Sequence, residues 1–347
     1  MKKRLFALMM ILSMAALLLA GCSNGDGGGV SQGSAPAPSV GTPDSQPTPL
    51  ADPGNEKLVV GFAQIGQESG WRDAETASIQ FYAGQNIDTI DLRSADAQQK
   101  QDNQTKAIKS FIEMGVDVTG LAPVVETGGD DVVTEAQEAG IHIVLVDRMA
   151  NVDESLYATF IGSDFIEEGK NAAIEMSNLL GGEGKIVELQ GTVGASAAND
   201  RMKGFADEIA ANHPGIEIID TQTGDFTRSK GKEVMESFLK SYPGEIAGVY
   251  AHNDDMMLGA IEAIKEAGLK PGEDIKTVSV DGVKGIFEAM AAGEANVTIE
   301  CNPLLGPQFF DACAKLKAGE EVEKWIKSEE GIFRADTAAE DLPNRQY

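Results

Sequence analysis

The side chains of this 347-residue chain best able to do chemistry gather in short segments beside apolar runs. Trp71-Arg72 follows one such run, Asp147-Arg148 a second, His252-Asn253-Asp254-Asp255 a third and Asp281-Gly282 a fourth. Arg201 sits within Asn199-Asp200-Arg201, and Phe226 adds a ring after another apolar run. Arginine presents donors in a fixed fork, Asp and Asn supply paired acceptors, and a charge on either partner strengthens the bond. An aromatic plate offers a flat apolar surface to the C–H face of a ring. This combination suits a polyhydroxylated ring, and a site whose buried polar groups expect hydroxyls rejects an analogue lacking one by ~10⁴-fold or more.

The stretch QESGWRDAET holds one of only two tryptophans, with Trp71 against Arg72 and Glu68, Asp73 and Glu75 nearby. Glu68 and Asp73 either orient the arginine or face water. Structural roles are also open to these residues. Asp147-Arg148 suits a surface ion pair, Asn253 or Asp254 a helix cap, Asp281-Gly282 a turn and Trp71 the core. Agreement across five strand ends favours a shared site, because ligands in open parallel sheets sit beyond the carboxyl ends of the strands.

Catalysis is a weaker reading. Paired carboxylates in a cleft can hydrolyse glycosides, but these each lie beside an arginine or asparagine, which should keep them ionised and hydrogen-bonded. The sequence has no strand-to-helix G-x-S-x-G elbow, no H-E-x-x-H and no calcium-loop pattern. GGEGK at 181–185 lacks Ser/Thr after the lysine and precedes a strand, so it reads as a helix stop. No enzyme activity, cofactor or metal site is expected.

The elements that must position these groups alternate. Strand-like runs at Leu58–Ala63, Ile141–Val146, Lys185–Leu189, Ile216–Ile219, Ile246–Ala251, Thr277–Val280 and Val297–Glu300 are separated by helical patterns. Two similar Rossmann-like α/β lobes with mostly parallel sheets fit better than one sheet of ten or more strands.

The N-terminus speaks of location. Lys2, Lys3 and Arg4 precede an apolar run from Leu5 to Leu19, too short for an ordinary span, which reads as a signal peptide. Leu19-Ala20-Gly21-Cys22 resembles a bacterial lipobox, implying residues 1–22 as a lipoprotein signal with lipidation of Cys22. Residues 23–55 are Gly, Pro, Ser, Asp and Thr with few large apolar groups, a disordered tether reaching roughly 30 Å. The expected place is the outer face of the cytoplasmic membrane in a Gram-positive-like cell, or the periplasm in a Gram-negative one, with membrane contact through the anchor only. The net charge of −27, from 55 acidic against 28 basic residues, argues against nucleic acid. Cys301 and Cys313 read as separate buried thiols.

From Lys57 to Gln308 the chain resembles the sugar-binding proteins of ABC transporters related to ribose- and galactose-binding proteins, and is most similar to their galactofuranose-binding members. QESGWRDAET, QQKQDNQTKAIKSF, LAPVVETG, VELQGTVGAS, GDFTRSKGKEVMESFLK, YAHNDDM and GAIEAIKEAGLKPGEDI carry the likeness. It implies a type I periplasmic binding protein fold with a three-stranded hinge, crossing near Ser163, Cys301 and Ser328. One lobe would be 56–162 plus 302–328, the other 163–301 plus 329–347. The family's binding positions carry over to Trp71, Arg72, Asp147, Arg148, Arg201, Phe226, Asn253 and Asp281. Glu300 joins them, because this chain has Glu300-Cys301 where many relatives place glutamine. The loop after Arg148 is longer than in ribose binders.

The implied function is capture of a monosaccharide, galactofuranose or galactose first and arabinose or another aldose behind, by a monomer that delivers it to an ABC permease driven by an ATPase. The alternative is a sugar-sensing receptor for a membrane kinase or chemoreceptor. A DNA-binding repressor of the same fold is removed by the signal peptide and the missing basic helix-turn-helix.

Overall fold

The computed structural model describes residues 56–347; the signal segment, Cys22 and the tether lie outside them. Among the described residues no helix is long and apolar enough to cross a membrane. The chain opens with β1 (Leu58–Gln64), α1 (Gly70–Gln85), β2 (Ile90–Asp96), α2 (Gln101–Met114), β3 (Val118–Leu121), α3 (Asp130–Glu138), β4 (His142–Val146) and β5 (Thr159–Gly162). It continues through α4 (Phe165–Leu180), β6 (Gly184–Gln190), α5 (Ser196–Asn212), β7 (Ile216–Thr223), α6 (Arg228–Ser241), β8 (Gly248–Ala251) and α7 (Asp254–Glu266). Then come β9 (Lys276–Asp281), α8 (Lys284–Ala291), β10 (Val297–Glu300), α9 (Gly306–Lys317), β11 (Trp325–Lys327) and β12 (Ile332–Arg334).

Two six-stranded sheets result, ordered β11-β5-β4-β3-β1-β2 and β12-β10-β9-β8-β6-β7. Every pair is parallel except β10 with β12. Central strands such as β4 and β8 are buried on both faces, which is why they read as unbroken apolar runs. The expected α/β class with two doubly wound lobes is the observed one. Each sheet anchors its own core. Phe309 and Phe310 of α9 pack with Phe62 and Tyr82 under the first, and Phe205 stacks on Tyr250 at 4.1 Å under the second.

The chain passes between sheets three times, after β5, after β10 and between β11 and β12. The three passages meet on one side chain. Glu330 Oε1 accepts from Ser163 Oγ in the first and from the Asn302 amide at 3.1 Å in the second. Helices α4 and α5 also touch backbone to backbone, and a Cβ on Gly169 would stand 2.2 Å from the Arg201 carbonyl oxygen. That approach sets Glu168 beside Arg201.

Candidate functional site

Eight of the nine sequence candidates line one cavity between the sheets, about 270 Å³ when the space at its open mouth is included. Trp71 and Arg72 reach it from the first turn of α1, not from a strand end. Ser69 caps that helix by accepting from the Arg72 amide at 3.2 Å. The indole of Trp71 donates to the Cys301 carbonyl at 2.5 Å and packs into the apolar cluster of the second sheet, so this ring bridges the lobes. The Arg72 guanidinium lies over it, 4.7 Å from the centroid.

All three guanidiniums in the cavity wall already have carboxylate partners. Arg72 binds Asp147 and Glu75 at 2.5 Å each and Glu68 at 3.3 Å. Arg148 binds the same Glu68 oxygen at 2.8 Å and lies 5.1 Å over the Phe226 ring, a contact across the cleft. Arg201 binds Glu168 at 2.7 Å and the His252 carbonyl at 2.7 Å, with Asp281 at 3.9 Å. Asn253 is both wall and cap: its Oδ1 accepts from the Met256 amide and its Nδ2 donates to the Phe226 carbonyl.

Three wall residues hold backbone angles that side chains rarely adopt: Asp147 (φ 62°), Phe226 (φ 61°) and Asp281 (φ 130°). Such strain persists only where surrounding contacts over-determine it, and it concentrates at functional sites. Asp254 supplies part of the restraint at Asp281. Its carboxylate accepts from the Gly282 and Val283 amides at 2.7 and 2.9 Å and from Ser279 and Thr298.

Burial shapes the charges. It opposes the Arg72 cation, yet Glu75, Asp147 and Glu68 outweigh it and hold the pKa well above its ordinary value. At Arg148 burial wins and the pKa falls, Glu68 offsetting only part. Burial lifts the Asp281 carboxyl well above the usual range despite Arg201 nearby, with Asp254 and Asp255 adding to the rise. The adjacent arginine alone does not set the charge of this carboxyl, because desolvation opposes the attraction.

Glu300 does not line the cavity. It faces the C-terminal tail, bonding Arg345 at 2.9 Å, the Tyr347 hydroxyl at 3.1 Å and the Gly331 amide at 3.0 Å. Cys301 takes the wall position instead. Sequence reasoning passed over Ser69, Ala197 and Cys301 as wall residues and left Glu68 undecided; Glu68 ties Arg72 to Arg148 and was flagged only by its place in QESGWRDAET. Glu168, Cys301 and Glu330 place ligand-type atoms within 4.8 Å of one another. Arg201 already pairs with Glu168, and burial raises the Cys301 thiol well above its ordinary value, so this set suits a hydrogen-bonded hinge better than a cation.

Polar atoms without a protein partner remain on three wall residues: Glu68 Oε2, Arg148 Nε and Asp281 Oδ2. The mouth is drawn together by bonds between lobes, including Gly70 N to Asp255 Oδ2 at 2.7 Å, Met149 N to Ser196 Oγ at 2.9 Å and Asn199 Nδ2 to Glu126 Oε2 at 2.6 Å.

Comparison with known proteins adds to this geometry. Residues 60–321 match the model of the periplasmic binding protein domain. The chain is 51% identical over 294 residues to the galactofuranose-binding protein of Escherichia coli K12, covering 83% of this chain and 92% of that one. A Mycobacterium smegmatis structure in complex with β-D-fucofuranose superposes with a TM-score of 0.80 at 49% identity, over 84% of this chain and 95% of the other. The binding component of the arabinose ABC transporter of Shewanella sp. ANA-3, bound to α- and β-L-arabinofuranose, gives 0.80 at 50% identity, over 83% and 95%.

Proposed function

This chain belongs to the periplasmic binding protein domain family, and on that premise we propose that its cavity captures one neutral monosaccharide, in furanose form, for delivery to an ABC permease. Galactofuranose is the first candidate, since the relative at 51% identity carries that name, and L-arabinofuranose the second. The observation that supports the reading most directly is the wall itself. Ten polar or aromatic residues from both lobes converge on one small space, with unpartnered polar atoms on Glu68, Arg148 and Asp281 ready to meet hydroxyls.

Neutrality follows from the pairing. Every wall guanidinium is paired with at least one carboxylate, Arg72 and Arg148 sharing Glu68, so a uronate or sugar phosphate would find no uncompensated cation and would face Glu68 and Asp147 as well. Mechanistically, a sugar docked on one lobe completes hydrogen-bond sets on both, and closure is favoured by the difference in affinity between closed and open forms. Lipidation of Cys22 would keep the loaded protein at the membrane surface beside its permease.

Titration calorimetry tests the reading, with protein unfolded and refolded to strip any bound ligand. The titrants are methyl β-D-galactofuranoside, D-galactose, L-arabinose, D-ribose and D-galacturonate. Saturable heat with a neutral sugar and at least ~100-fold weaker binding of the uronate are expected. Absence of saturable heat with every neutral sugar sinks the proposal.

A further inference from the structure

The C-terminal tail builds a half-buried cluster that the sugar site described above does not use. The Arg345 guanidinium lies among three rings, 4.7 Å from the centroid of Phe287 and 4.8 Å from those of Phe333 and Tyr347. Its Nη2 donates to the Gly282 carbonyl at 2.8 Å, to Glu300 at 2.9 Å and to the Tyr347 hydroxyl at 2.6 Å, and its Nε reaches the same Gly282 carbonyl at 3.2 Å. The Tyr347 carbonyl accepts from the Lys284 amide at 2.6 Å, which ties the end of the chain to the start of α8.

We propose that Arg345 is a positioning residue for sugar binding: it holds the Asp281-Gly282 turn in the conformation that presents the Asp281 carboxyl to the cavity. The inference rests on the sugar reading above. Asp281 is a wall residue with φ 130° and an unpartnered Oδ2, and Gly282 follows at φ 83°. A turn this strained must be gripped on both sides of its peptide groups. Asp254 and Thr298 grip the Gly282 amide, and Arg345 grips the carbonyl. Glu300 and the ring cage hold Arg345 in turn, so Glu300 acts on the site only at second hand. A planar fork is suited to the task because Nε and Nη2 both reach the Gly282 carbonyl while Nη2 also bonds Glu300, a two-pronged grip that a single ammonium does not reproduce.

The test compares sugar affinity by calorimetry for wild type, Arg345→Met, Arg345→Lys and Tyr347→Phe, using the panel of neutral sugars above, with far-UV circular dichroism and melting points in parallel. Methionine keeps length and apolar packing but loses every donor, and about tenfold weaker binding is expected. Lysine keeps a cation and donors for Glu300 and the Gly282 carbonyl but loses the two-pronged grip, so it should recover most of the loss and stay about threefold weaker than wild type. Tyr347→Phe removes only the hydroxyl and leaves the Gly282 contact, so its affinity should stay within about twofold whatever its melting point does. Wild-type affinity in Arg345→Met overturns the inference, as does an equal fall in Tyr347→Phe, which would make the tail a matter of stability alone. If Arg345→Met does not fold, Arg345→Lys carries the test, and wild-type affinity there overturns it. No saturable heat from wild type overturns the sugar reading and this inference with it; wild-type binding with unaffected variants overturns the inference alone.

Discussion

Glu330 couples the hinge to pH, and the size of the effect can be worked out. Burial pushes its carboxyl up from 4.5 to about 8, Glu168 adds to the rise, and hydrogen bonds from Ser163 and the Asn302 amide and the more distant Arg201 offset part of it. Between those two pH values the folded chain keeps a proton that the unfolded chain has lost. The stability this contributes is complete below pH 4.5 and disappears as pH rises to about 8. At about 1.36 kcal/mol per unit, the shift corresponds to ~5 kcal/mol at most, and ~2–5 kcal/mol once partial solvation of the crossing is allowed for. Glu330→Gln keeps an acceptor for both donors and cannot titrate. Urea unfolding of both proteins from pH 4.5 to 8.5 should therefore show the wild type losing ~2–5 kcal/mol relative to the variant as pH rises. Asp254, which burial lifts to about 7, and the raised carboxyls of Glu75 and Asp281 are present in both proteins and cancel in the difference, while Glu168 enters it only through its coupling to Glu330. A difference that moves by less than ~1 kcal/mol over this range would show that the carboxyl is not held protonated in the hinge.

Other outcomes follow from the same geometry. Arg148→Ala removes the cation between Glu68 and the Phe226 ring; it should weaken sugar binding by ~100-fold or more while the circular dichroism spectrum is unchanged, and normal binding would mean the site is misplaced. Gly169→Ala drives a methyl group against the Arg201 carbonyl; a loss of ~1–3 kcal/mol in urea unfolding is expected, with weaker sugar binding by calorimetry because Arg201 is carried away with α5. Cys22→Ser should move the protein from the membrane fraction to the soluble one, read by immunoblot after cell fractionation, and retention in the membrane would argue against a lipid anchor.

The parts of the fold that could be read from sequence are those where burial writes a pattern. Strands β1, β4 and β8 are buried on both faces and stand out as nearly continuous apolar runs, while β9 and β10 are marked by β-branched residues alternating with small or polar ones. Strand β2, IDLRSAD, lies at an edge and is half exposed, so its polar residues hid it, while β11 and β12 have three residues each and carry too little pattern to register. The helix stop at GGEGK was readable for a local reason: Gly181 takes φ 68° as the C-cap of α4, where a left-handed residue is wanted.

At the candidate site, residue types and strand-end positions pointed to residues that line one cavity, but not to the side of the strand each one takes. Glu300 ends β10, where successive side chains face opposite ways, so the turn that brings Cys301 to the cavity sends Glu300 toward the tail. Trp71 shows a second limit. Core and ligand plate looked like alternatives in the sequence, whereas the ring does packing work against the second sheet and still lines the cavity. Charge state was the furthest out of reach. Asp281 lies 3.9 Å from an arginine, and that neighbour argues for an anion, but the carboxyl is also sealed from water and close to Asp254 and Asp255. Their balance depends on segments far apart in the chain, among them the α5 turn that carries Arg201 and the first turn of α7 that carries Asp254 and Asp255. Its sign is therefore a property of the packed cleft, and the same packing that raises the Asp281 pKa excludes the water with which a sugar hydroxyl would otherwise compete.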